Sequence, residues 1–373
     1  MEQVNSKAGA GSYRYLDEMT PWSDRRQLLQ VINITDEAPQ VKTFTFQSDA
    51  QAWFRYLPGQ FMTLELPTAN GPLMRTYTLS SSPSRPFSIA VTVKAQPTSV
   101  GTRWMFDNLK PGDVVKAYGP IGHFTHVSHP ASQYLFISAG SGITPMMSML
   151  RWFSDCAPCT NVAFVHCARR PQDIIFRHEL ELLASRMSGL SLSFIVKERS
   201  QSESWSGHLG RIDAIRLPLL SPDYREREIF CCGPEPFMQA MRELLKASDF
   251  DMAPYHQESF GQALSGTPSA AVSDVVRDEG AADAGIDALP VRFLLSDIDG
   301  ECRPGQTVLQ AARAAGVRIP SACESGLCGA CKVMKRSGEV EMNHNGGILD
   351  EEISEGYILA CCSRPMTKVE VEV

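Results

Sequence analysis

Between residues 28 and 122 the chain alternates apolar and polar positions in short runs broken by Pro and Gly. The runs are VKTFTFQ at 41–47, FMTLEL at 61–66, RTYTLSS at 75–81 and FSIAVTVK at 87–94. Alternation with a period of two turns one face of a strand inward and the other outward. Closely spaced strands of this kind predict an antiparallel β-barrel or sandwich. After His129-Pro130 the pattern changes. Apolar runs (YLFISA at 134–139, NVAFVHCA at 161–168, LSLSFIV at 190–196, EIFCC at 228–232) alternate with helical stretches near 144–153, 173–187 and 235–247. That predicts an α/β domain, a parallel sheet with crossover helices. Residues 290–373 open with a predicted β-hairpin, continue with a short amphipathic helix over 307–316 (TVLQAARAAG), and reach a cysteine-rich loop.

Residues 261–289 are rich in Ala, Gly, Ser and Asp and contain no aromatic residue. Such a segment cannot bury enough apolar area to offset its ordering entropy, so it reads as a flexible linker. A short helix around Ser273 to Arg277 fits there; a domain core does not. The expected division is therefore an N-terminal extension (1–27), a β-barrel (28–130), an α/β domain (131–260), the linker (261–289) and a C-terminal unit (290–373).

Composition narrows the class. The 373 residues are 43% hydrophobic and 21% charged, as in an ordinary soluble globular protein. No run of 18 apolar residues exists, so no membrane span is expected. Residues 1–22 lack the apolar core of a secretory signal, and the expectation is a cytoplasmic protein. The net charge of −7 falls entirely beyond residue 260. No cluster of Lys and Arg suggests a nucleic-acid surface.

Eleven cysteines then need an explanation other than disulfides, because the cytosol keeps thiols reduced. Cys323, Cys328 and Cys331 follow the spacing C-x4-C-x2-C, with Cys361 and Cys362 further on. Three thiolates on one loop and a fourth from a distant segment suit a [2Fe–2S] centre, and the spacing is that of plant-type ferredoxins. Gly326 and Gly329 fit a backbone that must pass close to inorganic sulfide. Zinc more often pairs two short cysteine knuckles or uses His. Cys156-Ala-Pro-Cys159 matches a redox C-x-x-C, but without a thioredoxin context it reads as two exposed thiols. His123, His126 and His129 recur every three residues in a Gly- and Pro-flanked loop. They carry no metal assignment.

Such a cluster moves single electrons, and the upstream residues supply a source. Arg75-Thr-Tyr77-Thr78 lies on a barrel strand, with Arg75 and Tyr77 on one face and Thr78 on the other. A guanidinium to clamp phosphate, a ring to stack on isoalloxazine and a hydroxyl near its N5 suit a flavin. Gly101-Thr102 opens a helical run from Arg103 to Leu109, and a helix N-terminus with a capping hydroxyl is a phosphate site. Gly140-Ser-Gly142-Ile-Thr144-Pro145 joins a strand to a helix, where glycines admit a pyrophosphate, though the third glycine of the dinucleotide fingerprint is missing. Cys232-Gly233-Pro234 ends another parallel strand, where ligands of open α/β sheets bind.

In this order the motifs resemble the ferredoxin–NADP reductase superfamily over residues 28–260, and 290–373 resembles a plant-type ferredoxin. The resemblance implies an FAD barrel, a nicotinamide domain and a β-grasp ferredoxin domain. It implies that Arg75, Tyr77 and Thr78 bind FAD, and that Thr102, with Gly101 before it, holds the pyrophosphate. Gly140, Gly142, Thr144 and Pro145 would lie at the nicotinamide dinucleotide, and Cys232 and Gly233 beside the nicotinamide. Lys94 is grouped with these cofactor-binding residues. Thr78 stands where the family more often has Ser, and Gly101 directly precedes Thr102 where the family usually spaces them. Ferredoxins place the last ligand after a Leu-x pair, as in Leu359-Ala360-Cys361, which implies Cys323, Cys328, Cys331 and Cys361 as ligands and Cys362 as a bystander.

A closer resemblance rests on Glu203-Ser-Trp205-Ser-Gly207, on 228–234 and on Tyr255-His-Gln-Glu258-Ser-Phe260-Gly261. It is to reductase components of Rieske-type demethylases of quaternary ammonium compounds and to hybrid-cluster protein reductases. It implies that Glu258 to Phe260 reach back to the flavin. The expected function is NAD(P)H-dependent electron transfer through FAD and a [2Fe–2S] cluster to a Rieske-type oxygenase, with Thr78 and Cys232 at the hydride-transfer site. The alternatives are reduction of a hybrid-cluster or other soluble redox protein, and a non-catalytic redox sensor or carrier. Arg169 and Arg170, just past a parallel strand, are placed to meet the 2′-phosphate of NADPH, but NADH is the expected donor.

Overall fold

The computed structural model describes residues 27–48, 52–69, 71–97, 99–201, 203–258, 288–317, 319, 321, 326, 329, 331–344, 348 and 350–373. It divides into two compact units, Met1–Phe260 and Gly261–Val373. The proposed linker and N-terminal extension lie almost wholly outside the described residues.

The first unit begins with strands β1 (Gln27–Ala38), β2 (Val41–Ser48), β3 (Phe61–Thr68), β4 (Gly71–Thr78) and β5 (Ile89–Lys94). Helix α1 (Val100–Asn108) and strand β6 (Val114–Ile121) follow. All pairings are antiparallel, in the order β4-β3-β6-β1-β2-β5. An antiparallel bridge from Leu79 to Val91 joins the two edges, closing the sheet into a barrel. Phe44 and Phe46 of β2 and Met62 and Leu64 of β3 point into its core. Outward on β3, Glu65 accepts from Lys116 Nζ at 3.0 Å and from the Tyr118 hydroxyl at 3.1 Å.

The chain then alternates β7 (Gln133–Ala139), α2 (Ile143–Cys156), β8 (Asn161–Ala168), α3 (Arg177–Arg186), β9 (Leu190–Val196), β10 (His208–Leu209), α4 (Arg216–Leu220), β11 (Glu228–Cys232), α5 (Glu235–Ala247) and β12 (Tyr255–Glu258). The sheet is parallel throughout, ordered β10-β9-β8-β7-β11-β12. Both faces are covered, which explains the near-continuous apolar runs. Phe136, Phe164 and Phe230 pack under α2. Ile137, Val165 and Ile229 face Met238, Met241 and Leu245 of α5. Helix α3 begins at Arg177 rather than at 173. Pro171 starts a short 3-10 turn, and Phe176 then takes a left-handed backbone at φ 58° that no helix continues through.

Helix α2 also ties the sheet to the barrel. Ser148 Oγ donates to Ser81 O at 2.6 Å, Arg151 Nη1 donates to Ser80 O at 2.5 Å, and Arg85 grips Asp155 with two bonds of 2.8 and 2.9 Å.

The second unit comprises β13 (Leu289–Phe293), β14 (Ile298–Cys302), α6 (Val308–Ala314), β15 (Lys332–Ser337), β16 (Val340–Met342), α7 (Asp350–Ser354), β17 (Tyr357–Leu359), β18 (Ser363–Pro365) and β19 (Val369–Glu372). Its main sheet runs β14-β13-β19-β15-β17, with β13 and β19 parallel. Helix α6 starts at a capping box. Thr307 Oγ1 accepts from Gln310 N, and Gln310 Oε1 accepts from Thr307 N. It buries Val308, Leu309, Ala311 and Ala312 against Val291, Phe293, Val369 and Val371.

Candidate functional site

The barrel strand β4 presents Arg75 and Tyr77 on one face and buries Thr78 on the other. The Tyr77 hydroxyl is buried without a hydrogen-bond partner among the described residues, and burial pushes its phenol up. The Arg75 guanidinium donates Nη1–H to Met74 O at 2.8 Å, and no carboxylate pairs with it among the described residues. A Cβ on Gly101 would stand 2.8 Å from Arg75 Cγ. The missing side chain thus lets the first turn of α1 close onto the arginine stem, so that a helix N-terminus and a guanidinium share one location. A half-buried ring with a spare hydroxyl beside a cation without a carboxylate partner among the described residues, and a helix start, fits a flavin and its phosphates.

One sequence expectation is corrected here. Helix α1 starts at Val100, not at Arg103, and its capping hydroxyl is that of Ser99, which accepts from Thr102 N at 3.4 Å. Thr102 lies inside the first turn. Its hydroxyl donates to Ser99 O at 3.5 Å and accepts from Gln96 N at 3.2 Å, tying down the approach to the helix. Lys94 ends β5 and is exposed.

At the α/β domain, Gly140–Gly142 forms a short 3-10 turn between β7 and α2. A Cβ on Gly142 would fall 2.3 Å from Cys232 O and 2.6 Å from Gly233 N. The two predicted nicotinamide motifs are therefore in backbone contact. Thr144 donates to Ser141 O at 3.1 Å, and Pro145 occupies the first helical turn, where its lost N–H matters little.

Parallel register sets Glu258, Cys232, Ser138 and His166 side by side across four strands at the C-terminal end of the sheet. The Thr78 hydroxyl of the barrel donates to the Glu258 carboxyl. Burial pushes that carboxyl up to about 8, with the Thr78 bond partly offsetting it. Burial, reinforced by Glu258 and Cys231, pushes the Cys232 thiol well above its ordinary value. Thr78, Cys232 and Glu258 thus meet as three uncharged groups at neutral pH. His166 was not foreseen, because it sits within an apolar strand run. It is fully buried, shares a 2.8 Å bond with Ser138 through Nδ1, and burial, then Lys94, pushes it down to about 3.

Arg169 and Arg170 both turn to Glu198, at 3.4 and 3.5 Å. Cys156 and Cys159 are exposed and free. The three loop histidines do not group. His126 is buried among Tyr134, Trp152 and Phe153, whereas His129 stacks on His256.

In the second unit Cys331 and Cys361 are buried, and Cys361 N–H points at Cys331 Sγ at 3.5 Å. Hydrogen bonds from Cys331 and then Cys362 hold the Cys361 thiol far down, at about 3. Cys362 is half-exposed and its Sγ donates to Leu359 O at 3.6 Å. A Cβ on Gly326 would lie 2.8 Å from Cys362 Sγ and from His344 Cα. A low-lying thiolate beside a second buried sulfur, with no room for a side chain at Gly326, fits an iron–sulfur cluster. Cys323, Cys328 and Phe260 lie outside the described residues.

Three family models match in succession. They are an oxidoreductase FAD-binding domain (28–126), an oxidoreductase NAD-binding domain (136–243) and a 2Fe-2S iron-sulfur cluster binding domain (296–366). The chain is 51% identical to the stachydrine N-demethylase reductase subunit Stc4 of Rhizobium meliloti, over 95% of this chain and 98% of that protein. It is 44% identical to the glycine betaine monooxygenase reductase subunit of Pseudomonas aeruginosa, over 97% and 100%. Its fold matches the solved structure of phthalate dioxygenase reductase with a TM-score of 0.58 at 23% identity, over 95% of this chain and all of that one. The chain belongs to the family of reductase subunits that these relatives represent, an oxidoreductase whose route runs from NAD(P)H through FAD to a [2Fe–2S] cluster.

Proposed function

We propose that this chain is the reductase subunit of a Rieske-type oxygenase system that demethylates a quaternary ammonium compound of the stachydrine or betaine class. The observation that carries this reading is the 51% identity, end to end, with a stachydrine N-demethylase reductase subunit. We read it as an FAD barrel (28–130), a nicotinamide domain (131–260), a tether (261–289) and a ferredoxin domain (290–373).

Bound FAD supplies hydride acceptance and single-electron release, and a [2Fe–2S] cluster supplies one-electron carriage. The chain's own residues bind and orient. Arg75 and the Gly101 amide in the first turn of α1, a turn that Thr102 ties down, neutralise phosphate. Tyr77 offers a ring to stack on, and Lys94 adds positive charge. Gly140, Gly142, Thr144 and Pro145 make the turn that admits a dinucleotide. Thr78, Cys232 with Gly233, and Glu258 line the place where nicotinamide and flavin would meet, and their neutrality avoids charge repulsion with a moving hydride. Phe260 would extend this lining. Cys323, Cys328, Cys331 and Cys361 ligate iron. The Glu198 carboxylate beside Arg169 favours NADH, since it satisfies the guanidinium that a 2′-phosphate would need.

The test is reconstitution with candidate oxygenases and NADH. NADH-dependent formaldehyde release from stachydrine or glycine betaine is expected. Efficient reduction of a hybrid-cluster protein with no formaldehyde from any betaine would overturn the assignment.

A further inference from the structure

Away from the hydride site, three side chains from separate segments converge at the opposite end of the parallel sheet. His129 lies in the connection from the barrel to β7, Glu228 is the first residue of β11, and His256 is the second of β12. His256 Nε2 lies 2.5 Å from Glu228 Oε1, and His129 Nδ1 lies 3.9 Å from the same oxygen. One ligand atom from each falls within 4.8 Å of the others, and all three residues are half-buried. The Phe230 ring lies beneath both imidazoles, with centroids at 5.1 and 6.0 Å. Glu228 has no Lys or Arg partner among the described residues, and two imidazoles face its half-buried carboxylate.

We infer that His129, Glu228 and His256 form a binding site for a borderline transition-metal dication of the Zn2+ type. Two imidazoles and one carboxylate are a donor set suited to zinc and unsuited to magnesium or calcium, which want oxygen ligands. Bonds of about 2.0–2.1 Å at a tetrahedral angle need ligand atoms about 3.4 Å apart, which falls between the two separations seen. Ligation turns the imidazoles out of their stack, with centroids 3.6 Å apart and planes 26° apart, about their Cβ–Cγ bonds. Ligation through His256 Nε2 uses the neutral tautomer with its proton on Nδ1, so the ion takes the place of the His256–Glu228 hydrogen bond. Water completes the coordination from the open side.

Glu228 and Cys232 stand at opposite ends of β11, roughly 13 Å apart at strand rise. The ion is therefore structural: it pins the barrel-to-sheet connection to the sheet's outer strand. Binding to the folded state alone raises stability by mass action.

The test uses oxidised, flavin-loaded holoprotein carrying Cys156→Ser and Cys159→Ser, which removes the exposed thiols. One Zn2+ per chain is expected at micromolar concentration, with a rise of a few degrees in the unfolding midpoint of the first unit. His129→Gln and His256→Gln should each weaken binding at least tenfold and abolish the rise. Zinc-edge absorption spectroscopy of the unsubstituted site should show imidazole scattering and nitrogen or oxygen neighbours near ~2.0 Å. That spectrum decides the matter even where a Gln variant loses its flavin. A sulfur shell, no uptake at micromolar Zn2+, or equal uptake in the Gln variants would overturn the site.

Discussion

Glu258 keeps its proton into the neutral range because burial disfavours its charged form and one donor, Thr78, only partly relieves it. Its folded value, about 8, lies above the ordinary 4.5, so the folded state binds the proton more tightly than the unfolded chain. Stability therefore falls as pH rises from about 4.5 to about 8, where the carboxyl must ionise. Glu258→Gln should flatten this fall in thermal melts of the holoprotein across that range. It should also remove the alkaline inflection in NADH–ferricyanide turnover. Thr78→Val, which removes the one donor, should move the inflection to higher pH, whereas Thr78→Ser should leave it in place. An unchanged inflection in Glu258→Gln would assign it to another group.

Two glycines decide how elements meet, and they predict opposite balances of stability and binding. Gly101→Ala gains up to about 1 kcal/mol of helix propensity in α1. Its new methyl group pushes on Arg75 Cγ, the middle of a flexible side chain, so the expected result is a higher melting point of apoprotein with lower flavin occupancy. Gly142→Ala drives a methyl group into the Cys232–Gly233 peptide, which cannot step aside. A loss of about 1–3 kcal/mol is expected, with KM for NADH raised at least tenfold. Element type was legible wherever periodicity was strong. The strand runs at 41–47, 61–66 and 134–139 match β2, β3 and β7 closely. Helix starts were less legible, for local reasons. Val100 and Gly101 are poor helix formers, and they masked a start that the Ser99 hydroxyl secures. At α3 the left-handed Phe176 broke a pattern that looked continuous.

For the molecule as a whole, the order of motifs made the route from nicotinamide to flavin to cluster readable. The meeting of Thr78 with Glu258 was readable only as kinship, because no spacing in the chain links residues 78, 232 and 258. Parallel register joins the last two, and the contacts of α2 with the 80–85 loop bring the first. Likewise His129 looked like part of a histidine repeat until the sheet edge brought Glu228 and His256 to it.

The electron route is tested most directly by anaerobic titration with NADH of the wild type and of Cys328→Ser. The wild type should take up about three electrons per chain, bleaching both flavin and cluster absorbance, and should reduce cytochrome c as well as ferricyanide. Cys328→Ser should take up about two, keep ferricyanide reduction, and lose at least 90% (about tenfold or more) of cytochrome c reduction. Equal loss of both activities, or a wild type that bleaches flavin yet contains no iron or sulfide, would contradict it.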